Sequence, residues 1–187
     1  MVTIETIQQK IQEISNSGKF SFTFNKTIST DALKLFEEKN NVLLPDDYKS
    51  FLTNIGNGGP GPNYGILSFD ESLIDFKLDS KPRIDIQRPF AYHQKWNADW
   101  ISRFDWDDDR PELTIVNEYM DVGHISGCLQ ISHYGHGCTN LLVVNGACSG
   151  QVWFDARADY GGIEPEQDPN GNTYSFFTWY DAWLSSL

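Results

Sequence analysis

Nowhere in its 187 residues does this chain carry an uninterrupted apolar run of the roughly 18 residues that cross a bilayer, so no membrane-spanning helix is expected. Its opening, Met1-Val2-Thr3-Ile4-Glu5, lacks a basic start followed by an apolar stretch. No export signal is therefore expected, and the expected compartment is the cytoplasm. Cysteine is scarce. Cys128, Cys138 and Cys148 form an odd set without a Cys-x-x-Cys pair, which argues for buried free thiols in a reducing compartment and against a disulfide framework. Repeats of solenoid length and low-complexity tracts are missing too, which sets aside arrays and long linkers.

Basic residues are scarce in one half only. Residues 1–98 hold 11 basic and 12 acidic side chains, whereas residues 99–187 hold 3 basic and 14 acidic, so almost all of the net charge of −12 lies in the second half. Such a field repels phosphate backbones and anionic lipid, so neither nucleic acid nor a membrane is an expected partner. A cationic protein is the natural complement.

With 40% hydrophobic and 21% charged residues, the composition is that of a globular protein, and the length suits one well-filled core. Ile4, Ile7, Ile11 and Ile14 predict an amphipathic helix over residues 3–14, ended by Ser15-Asn16-Ser17-Gly18. Phe20, Phe22 and Phe24 alternate with polar residues, as in a half-buried strand or extended arm. A helix over residues 30–40 follows, capped by Ser29 or Thr30. A third starts at Leu44-Pro45-Asp46-Asp47-Tyr48, where proline and two acids suit a helix N-terminus, and it stops at the glycine-rich residues 56–61. Residues 65–69 are expected to begin the sheet. Residues 89–104 are expected to be helical around Trp96 and Trp100, and Leu113 to Val116 reads as a strand. Ser175 is placed to cap a final helix carrying Phe176, Trp179 and Trp183.

The organising stretch is residues 127–155, read as a three-stranded meander. Cys128, Gln130 and Ser132 alternate with Leu129 and Ile131; Leu141 to Val144 is a continuous apolar run; and Gln151 to Phe154 is a third β-prone segment. Gly135, Gly137 and Asn145-Gly146 mark the turns, and residues 161–173 read as a polar loop. The expected fold class is α+β, a single domain with a mixed, mostly antiparallel sheet packed by N-terminal and C-terminal helices.

Motifs for chemistry fail on context. Gly56-Asn57-Gly58-Gly59-Pro60-Gly61 matches G-x-G-x-x-G by letter, but a helix precedes it where a dinucleotide site needs a strand before and a helix after. His133, His136 and Cys138 resemble part of a zinc site or a Cys-His hydrolase, yet no second ligand pair stands at metal spacing. A hydrolase using Cys138 with either histidine is kept as an alternative. Asp105-x-Asp107-x-Asp109 and Asp168-x-Asn170-x-Asn172 both lack the glycine and the bidentate glutamate of an EF-hand. Weak surface calcium binding there remains open. No cofactor is expected.

The acidic run Asp105, Asp107, Asp108, Asp109 and Glu112 encloses Trp106. Carboxylates that steer an encounter around an indole that anchors it suit a surface for a basic protein. A second patch, Asp155, Asp159, Glu164, Glu166 and Asp168, extends the candidate partner-binding set.

Phe36-Glu37-Glu38, then Leu44-Pro45-Asp46-Asp47-Tyr48-x-x-Phe51-Leu52 with its glycine-rich turn, open a longer pattern. It continues through Leu129-x-Ile131-x-x-x-Gly135-x-Gly137, then Leu142-Val143-Val144-x-Gly146-x-x-x-Gly150-x-Val152-Trp153, and ends with Ser175-Phe176. In this order the pieces resemble the SUKH superfamily, with its Smi-Knr-like and bacterial immunity-protein members, over residues 29–187. The helix and arm of residues 1–28 have no counterpart in the pattern. The resemblance implies an α+β domain without catalytic apparatus. It also implies a bacterial immunity protein that binds and blocks a toxin domain, often a nuclease. A regulatory or scaffold protein with no toxin partner is the alternative that the fungal relatives imply.

Overall fold

The computed structural model describes residues 2–77, 80–103 and 111–187. Helix α1 (Ile4–Asn16) begins at Thr3, whose hydroxyl accepts the Thr6 amide, and its isoleucine stripe turns Ile7 into the core. Helix α2 (Thr30–Asn40) is capped by Ser29 and closes through Asn41 in the left-handed region. Helix α3 (Asp46–Asn54) follows Pro45 and buries Tyr48, Phe51 and Leu52. The last helix, α5 (Phe176–Leu184), carries a full capping box between Ser175 and Thr178. Asp47 reaches across to accept its Phe177 amide at 3.0 Å. Rings of Tyr48 and Phe51 meet Phe176 at 4.9 and 5.2 Å, edge to face. Lys10 binds Asp181 at 2.5 Å and Ser185 at 2.8 Å, joining α1 to α5.

The Phe20 to Phe24 segment is an extended arm without ladder pairing. Phe20 and Phe22 pack on Trp183, and Phe24 on Phe51. This arm accounts for the glycine run after α3: a Cβ at Gly56 would lie 2.6 Å from the Phe24 Cβ. Close backbone approach, rather than a pyrophosphate, requires the missing side chain.

The sheet is β1 (Cys128–Gly135), β2 (Cys138–Val143), β3 (Val152–Asp155) and β4 (Ile163–Pro165), in that spatial order and antiparallel throughout. The meander is as expected, while β4 falls inside the stretch read as a polar loop. Residues 65–69 begin no strand; they touch the β1 edge through single bonds such as Leu67 N–H to Ile131 O at 2.9 Å.

Two further expectations are corrected. Leu113–Tyr119 forms helix α4, because Tyr119 must reach inward: its hydroxyl donates to Asn97 Oδ1 at 2.7 Å and accepts the Gly162 amide at 3.0 Å. Tertiary bonding overrides the β-propensity of Ile115 and Val116. Residues 89–103 contain only a 3-10 turn, Ile101–Arg103. Trp96 instead exchanges two 2.8 Å backbone bonds with Ile163, covering the outer edge of β4. Gly162 permits this, since a Cβ there would lie 2.1 Å from the Trp96 oxygen, and its φ of 82° suits glycine.

A neutral cluster of four buried charges lies under the sheet. Asp155 Oδ2 binds Lys77 Nζ at 2.8 Å and Arg157 Nη2 at 2.9 Å, while its Oδ1 takes Arg157 Nε at 2.9 Å. Asp75 binds Lys77 at 3.3 Å and accepts from Gln130 of β1 at 3.0 Å. Arg157 Nη1 donates to the carbonyls of Tyr119 and Asp121, at 3.0 and 2.8 Å, so the end of α4 is tied to the end of β3. Burial alone would raise the Asp155 pKa, but the charges of Lys77 and Arg157 outweigh it and hold it at about 2.

Because that value lies below the ordinary 3.8 of an unfolded aspartate, the cluster stabilises fully above about pH 4 and loses its contribution as pH falls toward 2. Acid titration of the unfolding free energy should show a loss on the order of 2 kcal/mol from this carboxylate. Asp155→Asn, which leaves two buried cations facing only Asp75, should cost roughly 3–5 kcal/mol by urea denaturation at pH 7 and flatten the acid dependence.

Candidate functional site

The pleat sorts the second acidic patch. Ser132, Asn140, Phe154 and Glu164 oppose one another across β1 to β4 and share one face. The next cross-strand row, His133, Thr139, Asp155 and Ile163, points the other way. Asp155 is therefore not a surface residue. It is fully buried in the charge cluster, and the expectation that it lines a partner surface is corrected.

Three of the predicted carboxylates join the first row, whose Ser132 and Asn140 are buried and whose Phe154 and Glu164 are partly exposed. Glu164 follows β-register beside Phe154 and pairs with Lys95 at 2.6 Å, both side chains largely exposed. Glu166 accepts from Asn140 Nδ2 at 2.9 Å, and Asn140 in turn accepts from Asn63 at 2.8 Å. Burial pushes the Glu166 pKa up; the Asn140 bond opposes this and the nearby Glu164 charge adds to it. Asp159, in the 3-10 turn Arg157–Asp159 after β3, is exposed and accepts the Cys138 thiol at 3.3 Å.

The centre of this face is aromatic. The Tyr134 ring meets Phe154 edge to face at 5.1 Å and is 57% exposed. Tyr64 is 80% exposed, with its ring against Gly135, where a Cβ would lie 3.2 Å from Cε2. Sequence reasoning missed Tyr64, Tyr134 and Phe154. The available signal was a large aromatic beside the Gly135 to Gly137 turn, where a strand end leaves the core.

The first acidic run is placed differently. Asp105, Trp106, Asp107, Asp108 and Asp109 lie outside the described residues. Glu112 is exposed at the start of α4, with Thr114 Oγ1 donating to it at 3.5 Å. The chain enters the segment after Trp100 and leaves it before α4, and Trp100 packs edge to face on Tyr119 at 5.6 Å. Trp96, Tyr92 and His124 stack beside Tyr119, with the Tyr92 hydroxyl bonded to His124 Nδ1. Asp168 turns its own loop, accepting from the backbone of Asn170 and Asn172 and from the Asn172 side chain.

Of the two histidines of the hydrolase alternative, His133 is not brought to Cys138. The Cys138 thiol donates a hydrogen bond to Asp159, whereas His133 lies in the opposite-facing row and packs against Phe76. All three thiols are free and buried. Among the described residues, no group of three His, Cys, Asp or Glu side chains is arranged to hold a metal, and no helix is long and apolar enough to cross a membrane.

Among the described residues, five helices and a four-stranded antiparallel sheet make this an α+β protein. The chain belongs to the SMI1 / KNR4 family (SUKH-1), whose family model matches residues 27–165. It is also similar to the immunity protein RhsIB of Dickeya dadantii (strain 3937), 55% identical over 38 residues. That stretch is 20% of this chain and 23% of the relative, so the match spans under a quarter of the relative's length. No solved structure matches the chain. The family match begins two residues before the resemblance read from sequence and stops short of α5.

Burial and the neighbouring Asp159 push the Cys138 thiol up to about 11. At pH 7, Cys138 should react with iodoacetamide on the order of 10²–10³ times more slowly than a free thiol. Mass spectrometry of timed samples checks this, and rapid alkylation would restore the thiol chemistry.

Proposed function

We propose that this protein is an immunity-type binding protein, not an enzyme, that neutralises a cognate toxin by direct contact in the cytoplasm. The partner is a cationic protein, a basic nuclease-like toxin domain. The observation that carries this reading is the pairing of family membership with charge: a SUKH-1 chain, locally similar to an immunity protein, carries 14 acidic and 3 basic residues over 99–187. Arg157 and Asp155 neutralise one another in the interior, which leaves the net charge of this half to its other residues. Carboxylates concentrated on one half steer a cationic partner into encounter and cover its substrate cleft, where phosphate backbones would otherwise bind. The same field disfavours direct binding of nucleic acid or anionic membrane by this chain.

Co-expression with basic enzymes recovered by pull-down from the native cell should restore growth for the cognate toxin. Replacing Asp107, Asp108 and Asp109 with asparagines should slow association about tenfold at low salt, with the difference fading as salt rises. Stopped-flow kinetics that do not change at low salt would remove residues 105–112 from the contact surface.

A further inference from the structure

The reading of the chain as a binder of a cationic protein leaves open which surface takes the cations and which cation it prefers. We infer that the sheet face centred on Phe154 receives arginine side chains of that partner, with Tyr134 and Tyr64 as aromatic anchors and Asp159, Glu164 and Glu166 as acceptors.

Exposure singles this face out. Tyr64 and Tyr134 are the large aromatics left exposed among the described residues, and both stand beside the hairpin turn between β1 and β2. Tyrosine offers a broad contact area with few rotors to order, which is why exposed tyrosine clusters mark binding surfaces. Tyr134 is braced by Phe154 and Tyr64 lies against Gly135, so both are held near one position before any partner arrives.

Charge selects the occupant. The three carboxylates are tied to the same strands, Glu164 opposite Phe154, Glu166 on Asn140 and Asp159 on Cys138 opposite Gly135, and among the described ion pairs on this face only Lys95 answers them, through Glu164. An exposed pair of that kind contributes roughly 0–1 kcal/mol and yields readily to a better-oriented cation. Asp159 is engaged by a weak thiol donor, and Glu166 by one amide. A half-buried carboxylate such as Glu166, whose charge burial disfavours, gains most from a cation that completes its bonding.

Guanidinium fits better than ammonium. It is planar, so it stacks on a tyrosine ring while its donors reach carboxylates at the edge, and it sheds water at lower cost. Lysine supplies a compact hydrated charge that meets the carboxylates but gains less from the rings.

The test uses the full chain with hexa-arginine and hexa-lysine peptides, titrated by NMR at about 50 mM salt, where surface charge is weakly screened. Wild type should bind hexa-arginine at least about fivefold more tightly, with shifts centred on Tyr134 and Phe154. Combining Tyr64→Ala with Tyr134→Ala should weaken that peptide about tenfold and remove most of the preference. Both tyrosines are exposed, and an unchanged urea midpoint confirms that the variant folds. Equal affinity for the two peptides, or wild-type binding by the double variant, overturns the inference. Growth protection is scored separately. A chain that protects cells although the double variant binds hexa-arginine normally keeps its function and loses this surface; tyrosine-dependent arginine binding with no toxin neutralised keeps the surface and removes the proposed function.

Discussion

The carboxylate of Asp155 holds the interior of this protein in one arrangement. It is fully buried, so each of its oxygens must be matched by a donor, and Lys77 and Arg157 provide them. Through Lys77 the cluster reaches the 75–77 turn, through Asp75 it reaches Gln130 on β1, and through Arg157 it reaches the last carbonyls of α4. Strand, turn and helix are thereby registered against one another by charged groups whose ion pairs offset the cost of their burial. Apolar packing alone would stabilise the same volume without specifying which turn of α4 meets the end of β3.

The surface follows from that interior by the alternation of the strand. Once Asp155 points inward, Phe154 points outward, and the register carries Asn140 and Glu164 with it. Strand alternation places Phe154 and Glu164 there, while Asp159 comes from the turn after β3 and Tyr64 from the segment before β1. The other acidic stretch is anchored at its ends: Trp100 rests on Tyr119 before it, and α4 is fastened by Arg157 after it.

Much of the architecture was legible along the chain because its determinants are local. Isoleucines at helical spacing, Ser29 and Ser175 before their helices, acids after Pro45, and glycine turns within the meander each act within a few residues. The misreadings fall where distant groups decide. Leu113 to Val116 has β-prone side chains, yet Tyr119 is drawn in by Asn97, Gly162 and Arg157 and winds the segment into a helix. Trp96 has a helical partner in sequence at Trp100, yet the unpaired edge of β4 takes its backbone.

By itself the sequence determined the α+β class, the caps and turns, the family pattern and the acidic bias of its second half, since composition, periodicity and spacing are properties of the chain before it folds. Only the tertiary structure decided the fate of each carboxylate. Asp155 and Glu164 look alike in a list of acids, but strand alternation sends one to a buried ion cluster and the other to an exposed aromatic face. The physical reason is that burial, and with it charge pairing and pKa, depends on residues 77 and 157 meeting around 155, a distance in space that sequence separation does not encode.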